Sequence, residues 1–260
     1  KLHVSLPLSF VMGQKAPKLG NKKSHIGLRR PDGEAVTVRE FEPADEPEVL
    51  RIFHEGLMEM VPDTAFRGLR HHPESLLLYA AITVVSSALT MCWWLILLLP
   101  ALVVGARYFY SRRVIHGYLV EAMSRDMGNI EGFYMKSPGS CLWVAVLDQK
   151  VVGVVAAVGQ QKEPGGAVEL RRMCVDRRYR RCGVGIALGK RLLEFAAASS
   201  CSSVNLGTTA YTPAAHRLYQ HLGFQCVGVT EGYVTPGSRQ SLPERLFYRV
   251  RYHHYTYKVT

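Results

Sequence analysis

Val168 to Ala196 reads VELRRMCVDRRYRRCGVGIALGKRLLEFA. The first eight residues alternate and favour a strand, and from Val184 onward the apolar positions recur at helical spacing. Between them lies a basic loop ending in Gly183 and Gly185. Glycines at a strand-to-helix junction let backbone N–H groups approach a ligand closely, and the helix N-terminus adds partial positive charge. Arg180 and Arg181 contribute full charges, so the stretch suits a pyrophosphate. It is not a Walker loop, because no Gly-Lys-Ser/Thr follows. Nor is it a Rossmann fingerprint, because the spacing and the downstream acidic residue are missing. Taken alone, a tight connection with surface arginines explains it equally well.

The flanking chain extends the pattern. Ala35 to Phe41 reads as a strand, and after it Val49, Ile52, Phe53, Leu57 and Met60 follow helical spacing. Cys141 to Leu147 and Val151 to Val158, joined by Asp-Gln-Lys, read as a β-hairpin. Past the loop and helix come a strand at Ser203 to Leu206, a helix at Pro213 to Leu222, and a strand at Phe224 to Val229. A last strand runs from Leu246 to Tyr257. The expected class is mixed α and β without internal repeats.

One run departs from this pattern. From Ser75 to Ala106 there is no charge, and a run of about 18 or more such residues marks a membrane segment. As one helix it would be about 48 Å long at 1.5 Å per residue. That is too long for one upright crossing of a hydrocarbon core of about 30 Å and too short for two. Arg67 and Arg70 precede it, and Arg107, Arg112 and Arg113 follow it. Positive flanks at both ends favour a re-entrant hairpin with both ends on the cytosolic face, turning near Ser86 and Ser87 or at Pro100.

The formal net charge is +11 over 260 residues, which points to an anionic partner without choosing one. Residues 1–34 read as a disordered basic arm, and Ser5 to Val11 is too short an apolar core for a signal peptide. Six scattered cysteines show no CxxC pair and no metal-ligand spacing; neither a disulfide scaffold nor a metal site is expected. No nucleic-acid motif accompanies the charge.

Arg180-x-x-Gly183-x-Gly185, followed by Ala215-x-x-Leu218-Tyr219-x-x-x-Gly223-Phe224, resembles the two acetyl-CoA motifs of the GNAT acetyltransferase superfamily. TAFRGLRHHP (64–73), FYMKSPGSCLWVAVLD (133–148), NLGTTA (205–210) and LPERLFYRVRYHHY (242–255) narrow the resemblance to its camello-like membrane group, and there to the branch that acetylates aspartate. The resemblance covers about Ala35 to Lys258. It implies an α/β (α+β) fold with a mixed, seven-stranded sheet splayed where acetyl-CoA enters. The first strand and helix would occupy 35–74, the membrane hairpin 75–110, and the rest of the domain 111–260. Acetyl-CoA is the implied co-substrate, L-aspartate the acceptor, and the lipid bilayer the partner of residues 75–106. The implied location is the endoplasmic reticulum membrane with a cytosolic catalytic domain, or else a mitochondrial membrane. Asparagine is common in the family where this chain has Thr212, and Gly followed by a basic residue where it has Arg181 and Cys182.

The resemblance also implies roles. The Val175 N–H would receive the oxyanion. Arg180 and the amides of Arg181, Cys182, Gly183, Val184 and Gly185 would hold the pyrophosphate, and Tyr219 would stand beside the CoA sulfur. Tyrosine has a reference pKa of about 10 and a thiol about 8.5, so full proton transfer to the thiolate is uphill by roughly 2 kcal/mol. Tyr219 therefore reads as a hydrogen-bond donor. Glu169, on the strand entering the splay, is the expected base, with a surface ion pair as the competing role. Arg171 and Arg172 are expected to bind the acceptor's carboxylates, since guanidinium groups do so bidentately. Arg171 shares a face with Glu169 if the pleat is regular, and a bulge would reverse that; Arg172 is favoured. Arg67, Arg70 and Lys136 are weaker choices. Two other readings stay open: acetylation of another amine, such as a cysteine S-conjugate or a protein lysine, and a non-catalytic adaptor that binds CoA or lipid.

Overall fold

The computed structural model describes residues 24–29, 35–70, 73–91, 94–160, 166–231, 241, 244, 247–248 and 250–259. The expected strand and helix at the start of the domain are β2 (Ala35–Glu40) and α1 (Glu46–Pro62), preceded by β1 (Ser24–Arg29). Glu46 and Glu48 complement the positive end of α1, and its stripe of Val49, Ile52, Phe53, Leu57 and Val61 is buried. Pro62 ends the regular ladder, and a π-helical turn, Asp63–Arg67, leads into the short α2 (Gly68–Arg70). Next come α3 (Pro73–Thr90) and α4 (Leu95–Ser124). The hairpin β3 (Cys141–Leu147) and β4 (Lys150–Gln160) precedes β5 (Ala167–Val175), α5 (Val184–Ala198) and β6 (Ser203–Thr209). The remaining elements are α6 (Pro213–His221), β7 (Gln225–Glu231) and β8 (Arg251–Lys258).

The strands form one sheet in the order β1-β2-β3-β4-β5-β6-β8-β7. Every neighbouring pair is antiparallel except β5 and β6. One face carries α5 and α6 over Trp143, Val155, Leu188, Leu192 and Tyr219. The other carries α1 and the C-terminal half of α4 over Ile52, Phe53, Ile115, Leu119 and Val154.

Several expectations are corrected. The sheet has eight strands among the described residues, not seven. The added one, β1, lies within the stretch expected to be a disordered arm; it completes the open edge of β2, pairing His25 with Thr37. Residues 1–23 and 30–34 lie outside the described residues. The chain does not turn at Ser86, Ser87 or Pro100. Thr90 returns its hydroxyl to the Ser86 carbonyl inside an unbroken helix, and α4 continues through Pro100. The break comes at Met91, which takes a left-handed φ of 52°. The insertion also has no boundary at residue 110, because α4 runs on into the domain core. The last strand starts at Arg251 instead of Leu246.

Gly185 and Gly189 lie one turn apart on α5. A Cβ at Gly189 would stand 2.3 Å from Leu222 Cδ1, and one at Gly185 3.0 Å from Leu218 Cδ2. Both glycines let α6 approach α5 closely. Gly189→Ala is expected to destabilise the fold by about 1–3 kcal/mol through overpacking. Thermal denaturation of that variant beside Gly189→Ala with Leu222→Ala checks this, because the double change should recover part of the loss.

Candidate active site

Parallel pairing of β5 with β6 lasts for three couples, Ala167–Ser203, Val168–Val204 and Glu169–Asn205. Beyond Glu169 the strands part and leave a wedge. Arg172 lies in the parting stretch with φ 54°, and the β4–β5 register slips between Val154 and Ala156. This is a β-bulge, and it re-aims the side chains that follow. Positive φ at a bulky residue is strained backbone, which persists where the surroundings impose it.

The wedge presents a donor. Asp176 N–H donates to the Val152 carbonyl at 2.9 Å, and Val175 lies opposite Gly153. Bonded and non-bonded couples alternate along an antiparallel ladder. The Val175 N–H therefore turns away from β4, toward the side from which β6 has departed. An N–H fixed there by the sheet suits a developing oxyanion.

Tyr219, on α6, is almost fully buried. Its ring contacts Phe224 and Tyr255 at centroid distances of 5.9 and 6.0 Å. Burial pushes its pKa well above the ordinary tyrosine value, so the phenol keeps its proton at neutral pH and has an O–H to donate. The same cause pushes the Cys174 thiol, on β5, up to about 11, which leaves it a poor nucleophile. His216 spans Tyr255 Oη, 2.8 Å from Nδ1, and the Thr209 carbonyl, 3.0 Å from Nε2. Nε2 must donate to that carbonyl, so Nδ1 of a neutral ring accepts from Tyr255. Thr212 caps no helix N–H; its hydroxyl donates to the Thr209 carbonyl at 3.1 Å.

After β5 the chain passes the turn Arg177–Tyr179 and reaches α5 with Arg181 at φ 63° and Gly183 at φ 79°. Gly183 is the N-cap and supplies no side-chain acceptor, so the first amides of α5 stay open to an anion. Gly183 meets a backbone requirement, whereas Gly185 meets the packing requirement set by Leu218. Arg181 is exposed, with no ion pair among the described residues. Cys182 is half-buried, with its thiol 3.5 Å from the Arg180 carbonyl. Arg180 is committed elsewhere: it donates to the Val175 carbonyl at 3.1 Å and to Glu59 of α1 at 2.6 Å. Asp176 anchors the start of the loop, accepting from the Arg178 amide and side chain and from Arg51. Those bonds hold its pKa well below the carboxylate range.

The three expected acid-base and substrate residues divide into two groups. Glu169 pairs with Arg171 at 2.6 Å, so both share the face expected of a regular pleat. Arg172, on the bulge, points into the α1–α4 side of the wedge. It makes two bonds to Asp126, at 2.8 and 2.7 Å, and one to Tyr118 Oη at 2.5 Å. Its guanidinium also lies 5.1 Å from the centre of the Phe53 ring. Burial works to raise the Asp126 pKa, but Arg172 and the Tyr134 hydroxyl outweigh it and leave the carboxyl below its ordinary value. Asp126, Tyr118 and Tyr134 were not read from the sequence, where Asp126 is one acidic residue in an unpatterned turn. Arg67 pairs with Asp63 at 3.3 Å and Lys136 with Glu131 at 3.1 Å; the Arg70 side chain lies outside the described residues. Among the described residues, no group of three or more His, Cys, Asp or Glu could hold a metal ion.

A parallel pair that opens into a wedge, a free sheet N–H at the opening, an uncapped helix after a basic loop and a protonated phenol together define an acyl-CoA N-acyltransferase fold and cleft. The chain belongs to the GNAT acetyltransferase family, whose pattern matches residues 108–224. It is 50% identical over 229 residues to N-acetylaspartate synthetase of Homo sapiens, covering 88% of this chain and 75% of that protein. N-acetyltransferase family 8 member 7 of Mus musculus is 31% identical over 199 residues, covering 74% of this chain and 86% of that one. Among solved structures, a GCN5-related N-acetyltransferase from Kribbella flavida shares the fold with a TM-score of 0.50 at 18% identity. That match covers 86% of this chain and 97% of the other.

Proposed function

We propose that the protein transfers the acetyl group of acetyl-CoA to the amino group of L-aspartate, giving N-acetyl-L-aspartate and CoA, from a domain docked on a membrane. The observation that carries the acceptor is the 50% identity to N-acetylaspartate synthetase along 88% of the chain. The cleft supports the chemistry. Attack of a neutral amine on the thioester carbonyl puts negative charge on an oxygen that the Val175 N–H can receive, and Tyr219 can donate to the sulfur as the C–S bond breaks. The amides from Arg181 to Gly185 suit the pyrophosphate. Glu169, at the mouth of the wedge, takes the amine's proton directly or through water. The α-amine of free L-aspartate is almost wholly protonated at pH 7, so this deprotonation has to precede attack.

The membrane reading rests on α3 and α4. Leu95–Ser124 is long and apolar enough to cross a membrane, and its first half is bare, with Leu97 at 65% exposed and Leu89 of α3 at 80%. Phe247 stacks on both Tyr79 and Tyr110, at 6.3 and 5.6 Å, which fixes the base of the hairpin. From there to the tip is about 18 Å along α3 and about 24 Å along α4. Both are short of a hydrocarbon core of about 30 Å, so the hairpin enters and returns on one side. Exposed Arg112 and Arg113 stand near its base and suit anionic headgroups. A cytosolic face of the endoplasmic reticulum offers both substrates; a mitochondrial membrane is the other location.

CoA release by the detergent-solubilised protein, measured across amino acids, cysteine conjugates and lysine peptides, tests the acceptor. Selective turnover of L-aspartate is expected. Preference for another amine would overturn the acceptor while keeping the transferase, and CoA binding without turnover would favour the adaptor.

A further inference from the structure

Three of the charged side chains the fold buries are carboxylates, and each has its arginine: Asp45 with Arg39, Asp126 with Arg172, Asp176 with Arg51 and Arg178. Arg107 has none. It is 1% exposed, and among the described residues its guanidinium makes one hydrogen bond, from Nε to the Ala65 carbonyl at 3.0 Å. A buried cation with one neutral partner is costly unless something completes its shell. From sequence it reads as a membrane flank; the fold turns it inward instead.

Its surroundings have the features of a binding site. A Cβ on Gly68 would stand 3.3 Å from Arg107 Nη2 and 3.5 Å from Tyr211 Cζ, so the missing side chain keeps space between guanidinium and phenol. Ser111 follows Arg107 by one turn of α4 and so lies on the same face; its hydroxyl is fully buried and has no hydrogen-bond partner among the described residues. The buried hydroxyl of Thr209, at the end of β6, also lacks one. The position relative to the wedge is favourable. Tyr211 is six residues beyond Asn205 and Val175 six beyond Glu169, the last couple that β5 and β6 share. Tyr211, in the turn that follows β6, thus brings Arg107 to the far end of the strand that forms one wall of the wedge, and α4 packs on the face opposite α5 and α6.

We propose that Arg107, with Ser111 and Tyr211 beside it, binds a carboxylate of the acceptor amine, so that the helix returning from the apolar hairpin supplies part of the substrate site. This rests on the aspartate reading and deepens it. With Nε bonded to Ala65, the Nη1–Nη2 edge remains to match a carboxylate bidentately. Arg172, closed by Asp126, is then not the sole determinant of a dicarboxylic acceptor.

The test compares full-length wild type, Arg107→Lys, Arg107→Met and Ser111→Ala, with L-aspartate, L-asparagine and L-isoasparagine as acceptors and CoA binding as the check on folding. Arg107→Met should raise the KM for L-aspartate about tenfold or more and leave the KM for acetyl-CoA unchanged. Preference for aspartate over one of the two monoamides should collapse, which would identify the carboxylate held. Arg107→Lys should fall between. An arginine that merely ties α4 to the turn after α1 would lower yield or kcat for all three acceptors alike, and that result overturns the proposal. If Arg107→Met binds no CoA, Ser111→Ala decides, with a KM rise of about threefold or more for L-aspartate expected and no change overturning it. The wild-type profile alone judges the aspartate reading, so the two failures are separable.

Discussion

Tyr219→Phe is expected to lower kcat about 10²-fold while the KM for acetyl-CoA stays near its wild-type value. Phenylalanine keeps the ring that packs on Phe224 and Tyr255, so the fold survives and only the hydroxyl is lost. Were Tyr219 merely a core aromatic, nothing would change, which is the outcome that removes it from the mechanism. In the proposed mechanism, the burial that raises its pKa favours hydrogen bonding over proton transfer. A phenol well above its reference value near 10 is a still weaker acid toward a thiolate of about 8.5. Full proton transfer is then more uphill than the reference values imply, and a hydrogen bond that strengthens as the sulfur gains charge is the role left to it. The wild-type kcat should accordingly show no alkaline limb attributable to this residue below about pH 10. Rapid-quench measurement of the acetyl-transfer step separates this loss from product release.

The elements were legible in the sequence where local pattern and tertiary role agree. The strand, loop and helix around Gly183 and the β3–β4 hairpin carry their own turn chemistry. The basic loop before Gly183 also predicts the open amides at the start of α5. What was hidden depends on contacts between distant residues. No local pattern marks the bulge at Arg172, because arginine has no preference for positive φ; the separation of the two strands imposes it. Gly185 reads as a phosphate glycine, yet Leu218, more than thirty residues on, needs its bare Cα. Arg107 follows a charge-free run and so resembles a headgroup contact. Only the course of α4 into the core shows it buried. The turn of the hairpin fell at Met91 instead of a serine pair or a proline; the threonines on either side of the serine pair bond one turn back, Thr83 to Tyr79 and Thr90 to Ser86, and keep that stretch helical.

Arg172→Ala is expected to cost about 3–5 kcal/mol of stability, because it leaves Asp126 charged and buried with Tyr134 as its remaining side-chain donor. Loss of activity in that variant would say little about substrate binding. The informative comparison is Arg172→Met combined with Asp126→Leu, which removes both charges and should recover most of the stability, since replacing a buried pair with apolar side chains is close to neutral. Chemical denaturation measures the first effect, and steady-state kinetics on the double variant gives the second. If Arg172 reaches the acceptor, the KM for L-aspartate stays raised in the refolded double variant. If the pair only braces β5 against α4 through Tyr118, KM returns toward wild type with stability. The geometry sets the expectation between them. Arg172 spends Nε, Nη1 and Nη2 on Asp126 and Tyr118, which leaves one N–H on each Nη for an acceptor. The double variant is therefore expected to be stable and to show a modest KM defect, about threefold to tenfold, as one charge-assisted hydrogen bond would give.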